Sequence, residues 1–255
     1  MTAPVPWPYP AWIAHRGAGQ LAPENTLAAF RLGAAHGYRM FECDAKLSAD
    51  GVAFLLHDTE LERTTNGQGV ASDQTWSTLS RLDAGSWHGR LWAGEPPCTL
   101  EALARWCLGN GLMLNIEIKP TPGQEELTGR EVAALARDLW RTRPGSAPPL
   151  LSSFRPESLQ GAMIAAPELP RGLLLHSLWS GWQDVARALR CHAIICHHPL
   201  WNSTLVHEVR QYGMRCLAYT VNDDEEVQRL HGLGLDGLIT DRVDRYAPSL
   251  PASGI

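Results

Sequence analysis

The feature that most constrains the fold is a regular alternation of short β-rich runs with amphipathic helical runs, which repeats eight times along the chain. Alternating βα units predict a parallel sheet with right-handed crossovers. Eight such units predict an α/β fold of the (β/α)8 TIM-barrel type, and an open doubly wound sheet is the alternative. Because 255 residues suit one barrel, residues 1–255 are expected to form a single domain.

The predicted elements follow from this pattern. Strands are expected at residues 12–15, 40–44, 113–118, 150–153, 171–175, 193–196, 214–219 and 237–240. Helices are expected at residues 25–36, 100–107, 126–140, 157–165, 183–189, 204–212 and 224–230. A further β-rich run at 52–56 follows the Asp50-Gly51 turn too closely for a crossover helix. We therefore expect it to form an antiparallel hairpin with the second strand.

Residues 59–97 interrupt the alternation. This segment is rich in Gly, Ser and Thr and contains Trp76, Trp87 and Trp92. A long irregular segment inside a compact domain is usually functional or disordered, and three tryptophans favour order. We expect it to form a capping insertion over the mouth of the barrel.

Composition excludes several classes of protein. A formal net charge of −5 argues against a general binder of nucleic acid or of anionic membranes. The chain has no apolar run of membrane-spanning length, and its first residues do not resemble a secretory signal. Its six cysteines form no Cys-x-x-Cys pair, which suits a reducing compartment. We expect a cytoplasmic protein without membrane insertion or nucleic-acid partners.

Polar residues stand where the predicted strands end, and catalytic groups of parallel barrels gather at the carboxyl ends of their strands. The four polar groups are His15-Arg16-Gly17, Glu42-x-Asp44, His57-Asp58 and Glu117-x-Lys119. Strand periodicity places residues i and i+2 on one face. The polar residues of each strand should therefore face the interior of the barrel, while their apolar neighbours pack against the helices.

Glu42, Asp44 and Glu117 form the predicted metal site. Three carboxylates in one enclosed space repel each other and lose hydration, and a divalent cation resolves that conflict. Ligands that are all oxygen favour Mg²⁺ or Ca²⁺ over zinc. Two alternatives remain open: a solvated strand edge for Glu42 and Asp44, and a simple ion pair between Glu117 and Lys119.

The ordered set of motifs resembles the glycerophosphodiester phosphodiesterase family, and the resemblance is greatest to its short cytosolic bacterial members. The motifs are His15-Arg16-Gly17, Pro23-Glu24-Asn25-Thr26, Glu42-x-Asp44, Asp50-Gly51, His57-Asp58, Arg63-Thr64-Thr65, Glu117-Ile118-Lys119, Ser152-Ser153-Phe154, Thr220-Val221-Asn222 and Ile239-Thr240-Asp241. The resemblance implies a TIM-type barrel that hydrolyses deacylated phospholipids, such as glycerophosphocholine and glycerophosphoethanolamine. The products would be glycerol 3-phosphate and an alcohol.

The resemblance also implies roles for individual residues. By it, Glu42, Asp44 and Glu117 are the metal ligands, His15 and His57 are the acid–base pair, and Arg16 and Lys119 contact the phosphate. Tyr219 stands where many family members carry tryptophan, and it implies an aromatic wall for the glycerol. Asn222 is a candidate contact for the glycerol hydroxyls, with capping of a helix as the alternative.

Several neighbouring residues have local interpretations. Asn25 is expected to cap the first helix, and Asp241 is expected to cap a truncated last helix after the final strand. Glu24 and Asp58 are candidates to orient Arg16 and His57. Arg63 is a weaker phosphate candidate, and His197-His198 is expected either at the mouth or in a surface loop.

Two mechanisms and two other functions compete with this interpretation. The glycerol 2-hydroxyl lies close to phosphorus, so intramolecular attack through a cyclic phosphate competes with direct attack by water. A phosphodiesterase of the lysophospholipase D type would need an apolar channel for an acyl chain. A non-catalytic barrel that binds phosphorylated metabolites would not need the acid–base pair.

Overall fold

Eight parallel strands close on themselves to form the barrel. In the computed structural model, which describes residues 7–246, strand β1 (Trp12–Ala14) pairs with β2 (Met40–Leu47) on one side and with β9 (Gly237–Thr240) on the other. The remaining parallel strands follow in chain order around the barrel. The predicted TIM-type barrel is therefore confirmed, and the open sheet is excluded.

The strands and helices lie close to their predicted positions. The strands are β1 (Trp12–Ala14), β2 (Met40–Leu47), β3 (Ala53–Leu55), β4 (Met113–Ile118), β5 (Leu150–Ser153), β6 (Arg171–Leu175), β7 (Ala193–His197), β8 (Arg215–Tyr219) and β9 (Gly237–Thr240). The helices are α1 (Leu27–Ala35), α2 (Trp76–Leu79), α3 (Leu100–Asn110), α4 (Glu125–Arg141), α5 (Pro156–Ala165), α6 (Trp182–Ala188), α7 (Ser203–Gln211) and α8 (Asp224–Gly232).

The short strand β3 lies outside the barrel alternation and pairs with β2 in antiparallel orientation, as the sequence predicts. This pairing extends β2 to Leu47, beyond its predicted end at Asp44, because Ala45 and Leu47 lie opposite Leu55 and Ala53. The hairpin carries His57 back to the carboxyl end of the barrel.

The two faces of each strand divide the apolar residues into an inner and an outer layer. Met40 and Met113 belong to a cluster inside the barrel, together with Ile13, Leu150 and Ile239. Their outward neighbours pack in a second cluster against the helices, which includes Phe41, Cys43, Leu114, Ile116 and Ile118. Apolar side chains thus fill the lower part of the barrel, and the polar residues of the same inner faces lie at its carboxyl end.

The start of α1 differs from the prediction. Thr26 rather than Asn25 caps this helix, because its Oγ1 accepts a hydrogen bond from the backbone N–H of Ala29. Asn25 has a left-handed backbone with a φ of 62°, and its side chain turns into the barrel. The predicted cap was wrong because a one-residue shift of the helix start redirects the Asn25 amide.

Residues 59–97 contain little regular structure beyond α2 and two 3₁₀ turns. An apolar cluster attaches the segment to the β3 hairpin through Leu61, Ala71 and Leu79, which pack with Phe54 and Leu56. The Asp83 carboxylate orders the later part by accepting hydrogen bonds from three backbone N–H groups, those of Gly85, Ser86 and Gly94.

Among the helices of residues 7–246, none combines the length and apolar character needed to cross a bilayer.

A glycine in α1 provides a test of how tightly this helix packs beneath the loop that follows β1. A Cβ at Gly33 would lie 2.1 Å from the Gly17 carbonyl oxygen and 2.8 Å from Cε1 of Phe41. We expect Gly33→Ala to destabilise the protein by about 1–3 kcal/mol, because the backbone must move. Thermal and denaturant unfolding measure the change.

Gly109→Ala in α3 is the matched control, since nothing lies within 4 Å of the added methyl group. It should stabilise the protein by roughly 0.5–1 kcal/mol, because alanine is the better helix former. An unchanged melting temperature in Gly33→Ala would contradict the packing argument.

Candidate active site

The three predicted metal ligands converge at the carboxyl end of the barrel. The parallel register of β2 and β4 places Asp44 opposite Glu117 and Glu42 opposite Asn115. One carboxylate oxygen from each of Glu42, Asp44 and Glu117 lies within 4.8 Å of the others. All three side chains are buried, so the solvated strand edge is excluded for Glu42 and Asp44.

Burial, mutual repulsion and neighbouring cations shift the pKa values of these carboxylates in different directions. Burial, together with the charges of Asp44 and Glu117, raises the pKa of Glu42 well above its ordinary value. Burial also raises the pKa of Glu117, although the charge of Lys119 opposes this effect. Burial opposes the ionisation of Asp44 as well, but Arg16 and Lys119 prevail and lower its pKa.

Two carboxylate oxygens of the cluster are buried without any hydrogen-bond partner within residues 7–246: Oε1 of Glu42 and Oδ1 of Asp44. Buried polar oxygens are rarely left in this state, because the lost hydration is uncompensated. The donor set consists of carboxylate oxygens, which are the ligands that Mg²⁺ and Ca²⁺ prefer. Glu42, Asp44 and Glu117 thus fit a hard divalent cation.

Both predicted catalytic histidines face the cavity above this cluster, and each ring is held by a carboxylate. Nδ1 of His15 lies 2.6 Å from Oδ1 of Asp241, and Nδ1 of His57 lies 2.6 Å from Oδ1 of Asp58. A carboxylate at Nδ1 leaves Nε2 available for proton transfer. Nε2 of His15 lies 3.8 Å from Glu42 Oε2.

The environment of His57 favours the neutral form of its imidazole ring. Burial lowers the pKa of His57, although the charge of Asp44 opposes this effect. Hydrogen bonds from Arg63 and His57 help to lower the pKa of Asp58 to about 2, so this carboxylate stays ionised beside the ring. Asp58 therefore orients His57, as the sequence predicts.

Asp241 is the residue whose contact the local sequence interpretation missed, since it was expected to cap a helix. Its Oδ2 accepts a hydrogen bond of 2.8 Å from Asn222 Nδ2, while its Oδ1 holds His15. Thr240 lies opposite Ala14 in the β1–β9 pairing, so the residues that follow, Asp241 and His15, are neighbours. Strand order in a closed barrel is the signal that indicates this contact.

Asn222 does not cap a helix, because Asp223 accepts the N-terminal bonds of α8. Instead, its Oδ1 accepts from the backbone N–H of Asp241 at 2.8 Å and from Thr240 Oγ1 at 3.2 Å. Asn222 therefore fixes the orientation of the Asp241 carboxylate, and its predicted contact with substrate stays a prediction.

Arg16 lies directly against the carboxylates. Its Nη1 donates to Glu24 Oε1 at 2.8 Å, which bears out the orienting contact expected of Glu24. Its Nε is 3.2 Å from Asp44 Oδ2, but the N–H points elsewhere, so this contact is an ion pair rather than a hydrogen bond. Its backbone N–H donates to Glu42 Oε2 at 3.1 Å, from a left-handed backbone with a φ of 50°.

Arg63 connects the two sides of the site. It donates to both carboxylate oxygens of Glu24 at 2.8 Å and to Oδ2 of Asp58 at 2.5 Å. A chain of ion pairs therefore runs from Arg16 through Glu24, Arg63 and Asp58 to His57. The Arg63 guanidinium is engaged by these carboxylates, which makes it a positioning group rather than a free phosphate contact.

The only two lysines of the sequence meet beside the carboxylates. Nζ of Lys119 lies 2.8 Å from Glu117 Oε1 and 3.9 Å from Asp44 Oδ1, so Glu117 belongs both to an ion pair and to the cluster. The buried ammonium of Lys46 donates to the Lys119 carbonyl at 3.1 Å. Burial, together with the charge of Lys119, lowers the pKa of Lys46 to about 8.

Aromatic residues form one wall of the central cavity. The cavity has a volume of about 150 Å³ and is lined by His15, Arg16, Glu42, His57, Asn115, Glu117, Lys119, Phe154, Leu174, Tyr219, Thr220 and Ile239. Phe154 and Tyr219 pack edge to face with ring centroids 5.6 Å apart. The hydroxyl of Tyr219 donates to the Leu175 carbonyl at 3.3 Å, which keeps the ring against the cavity.

Neither ring of the pair His197-His198 belongs to the lining of the central cavity. The ring of His197 lies 5.9 Å from that of Tyr219 and stacks on His176 at 5.0 Å, behind the aromatic wall. The ring of His198 pairs with Glu226 at 2.7 Å and is held away from the cavity lining.

Comparison with known proteins gives a consistent result. Residues 15–245 match the Glycerophosphoryl diester phosphodiesterase family. A glycerophosphodiester phosphodiesterase of Caldanaerobacter subterraneus is 34% identical over 236 residues, which cover 90% of this chain and 93% of the relative. A glycerophosphodiester phosphodiesterase of Bacillus subtilis is 28% identical, over 92% of this chain and 84% of that protein.

Among solved structures, a phosphodiesterase of Oleispira antarctica superimposes with a TM-score of 0.84 at 35% identity, covering 91% of this chain and 93% of that one. That structure is a complex with the product sn-glycerol-3-phosphate.

The carboxylate cluster predicts stabilisation by a divalent cation. Adding Mg²⁺ or Ca²⁺ to chelator-treated protein should raise the melting temperature, by the equivalent of about 2.7 kcal/mol at a hundredfold excess over Kd. Glu42→Gln should reduce this gain, whereas Glu157→Gln on the outer surface of α5 should retain it. Differential scanning calorimetry measures each gain.

The same experiment has a predicted pH dependence. The raised pKa values of Glu42 and Glu117 mean that the metal-free protein loses stability as pH rises above the ordinary range of glutamate. The opposite contribution of Asp44, whose pKa is lowered, is lost only at pH below about 4. The gain from the cation should therefore grow between pH 5 and pH 8, and a gain that shrinks over this window would contradict the assignment.

Proposed function

The chain belongs to the glycerophosphoryl diester phosphodiesterase family, a family of phosphoric diester hydrolases, and from this membership we propose its substrates and mechanism. Its substrates are glycerophosphodiesters, that is, deacylated phospholipids such as glycerophosphocholine and glycerophosphoethanolamine. The products are glycerol 3-phosphate and an alcohol. The complex of the Oleispira antarctica phosphodiesterase with sn-glycerol-3-phosphate supports this choice of product.

One observation carries the proposal: a single cavity is lined by two carboxylates of the cluster, Glu42 and Glu117, by two imidazoles and by two cationic side chains. A phosphodiester carries one negative charge, and more charge builds on its oxygens in the transition state. Arg16 offers a directed, charge-assisted donor to those oxygens, and Lys119 offers a compact point charge. The Phe154–Tyr219 wall suits the carbon skeleton of the glycerol.

Metal dependence is part of the proposal, with Mg²⁺ or Ca²⁺ held by Glu42, Asp44 and Glu117. When bound, the cation supplies Lewis-acid stabilisation of a phosphate oxygen. The support from the chain's own residues is the pair of buried carboxylate oxygens without partners in the part of the chain that is described.

His15 and His57 carry out the two proton transfers of the reaction. One imidazole accepts the proton of the attacking hydroxyl, and the other protonates the departing alkoxide. Asp241 and Asp58 support this role, because each holds a ring by Nδ1 and directs its other nitrogen toward the cavity. One ring begins neutral and serves as the base, and the other begins protonated and serves as the acid.

The nucleophile in this mechanism is the 2-hydroxyl of the glycerol. It is held close to phosphorus by its own covalent chain, which gives intramolecular attack a large advantage in effective concentration. Attack releases the alcohol and forms a cyclic glycerol phosphate, which water then opens to glycerol 3-phosphate.

The proposed location of the protein in the cell is the cytoplasm. All six cysteines are buried free thiols, which suits the reducing cytoplasm.

The insertion at residues 59–97 acts in this proposal as a cap on the mouth of the barrel. The position of Trp87 and His88 beside His15 and Arg16 in an outer cavity supports this role.

The histidine roles predict large kinetic losses. His15→Ala and His57→Ala should each lower kcat for glycerophosphocholine by about 10²–10⁴, because each removes a general acid or base. Coupled assays of glycerol 3-phosphate release measure the loss at saturating Mg²⁺. His207→Ala on the exposed surface of α7 is the control, and full activity in either cavity variant would refute the acid–base assignment.

The cyclic pathway makes a separate prediction about substrate chemistry. A substrate analogue that lacks the 2-hydroxyl should bind but not be hydrolysed, because it has no internal nucleophile. ³¹P NMR of single-turnover reactions should show a transient cyclic phosphate. Hydrolysis of the deoxy analogue at the rate of the natural diester would instead favour direct attack by water.

A further inference from the structure

A second groove opens from the active site on the side of His57. It has a volume of about 250 Å³ and is lined by Lys46, His57, Thr59, Glu117, Ile118, Lys119, Pro120, Ser153, Phe154 and Arg155. We name it the Lys46 groove. It shares His57, Lys119 and Phe154 with the central cavity, so a ligand in the groove is continuous with the reaction centre.

The Lys46 groove carries more positive than negative charge. Its lining includes the cations Lys46, Lys119 and Arg155 but a single carboxylate, Glu117. That carboxylate is already engaged by Lys119 at 2.8 Å. Two of the three cations therefore lack a carboxylate of their own in the groove.

Lys46 is the more unusual of these two cations. Its side chain is 1% exposed, yet within residues 7–246 it makes one hydrogen bond, to the Lys119 carbonyl, and no carboxylate lies within ion-pairing distance. An ammonium carries three N–H donors, and its burial without a directly paired carboxylate is costly, even with the carboxylates of Asp44, Asp58 and Glu117 nearby. A ligand anion in the groove would supply the acceptors that the described protein residues do not.

Arg155 provides a second, independent cation at the exposed rim of the groove. Its guanidinium forms no ion pair with any residue of the described chain, whereas Arg16 pairs with Glu24 and Asp44, and Arg63 pairs with Glu24 and Asp58. A guanidinium is well suited to a carboxylate or a phosphate because its N–H groups match two oxygens at once.

The opposite side of the active site has a different balance of charges. The outer cavity beside His15 contains the carboxylates Glu24 and Asp241, but both already have cationic or histidine partners. The central cavity is small, and its Phe154–Tyr219 wall and apolar residues Leu174 and Ile239 suit the invariant glycerol half of a diester. The variable alcohol needs an open groove, and the unmatched charge lies on the His57 side.

Resting on the proposed function, we propose that the Lys46 groove receives the leaving alcohol and selects alcohols that carry an anionic group. The substrate class is glycerophosphodiesters whose leaving group bears a carboxylate or a phosphate in addition to the scissile diester. Lys46 and Arg155 bind that second anion, and His57 is then the imidazole next to the leaving oxygen.

Two natural diesters form a matched pair for the test. Glycerophosphoserine differs from glycerophosphoethanolamine by one carboxylate on the leaving alcohol, and both carry the same ammonium. We expect wild-type kcat/KM to favour the serine diester on the order of tenfold, as a charge-assisted contact allows. The preference should fall as ionic strength rises, because Arg155 is exposed.

Two variants test whether the preference for the serine diester arises in the groove. Lys46→Met keeps the length of the side chain and removes its charge, and Arg155→Gln removes the charge at the rim. Each should bring the serine-to-ethanolamine ratio toward one. Arg130→Gln on the exposed surface of α4 makes the same charge change elsewhere and should keep the wild-type ratio. Because the readout is a ratio, a general loss of stability or activity does not imitate it.

The outcomes separate the inference from the proposed function. A wild-type ratio at or below one, or a ratio unchanged in both Lys46→Met and Arg155→Gln, would overturn the inference while leaving the phosphodiesterase intact. If Lys46→Met does not fold, Arg155→Gln decides alone, since its side chain lies at the surface. Absence of hydrolysis of both diesters with Mg²⁺ and with Ca²⁺ would instead overturn the proposed function.

Discussion

The confinement of three carboxylates to one buried space is the constraint on which the site depends. Glu42, Asp44 and Glu117 repel each other, and burial denies them the hydration that would relieve the repulsion. Arg16 and Lys119 compensate part of this charge, and two carboxylate oxygens still lack a partner among the residues described. The remaining deficit is the physical reason for which we propose a divalent cation at this cluster.

The architecture of the barrel brings this charge together. Parallel pairing of β2 with β4 sets their inner faces in register, so carboxylates at i and i+2 on one strand meet a carboxylate on the next. Apolar residues below the cluster fill the barrel, and apolar residues on the outer faces attach the strands to the helices. The three carboxylates are thus held by strands of a rigid scaffold, whereas His15, Arg16 and His57 lie in the loops just after strands.

Outside the carboxylates, ion pairs and hydrogen bonds hold the proposed reactive groups in place. Asp241 and Asp58 hold the two imidazoles, and Asn222 orients the first of these carboxylates. The series Arg16, Glu24, Arg63 and Asp58 links the side of the proposed phosphate contacts to His57. Partners of this kind fix ring orientation and tautomer, so they affect reactivity without touching the substrate.

The sequence by itself determined the βα alternation, the hairpin, the family and the residues that face the barrel interior, because these depend on local periodicity and on motifs of adjacent residues. Only the tertiary structure decided that Asp241 holds His15, 226 positions away, and that Asn25 turns its amide to Asp44 instead of capping a helix. The same holds for the unmatched charge of Lys46 and Arg155. Such contacts depend on barrel closure and strand register, which join residues distant in sequence, and no local pattern encodes them.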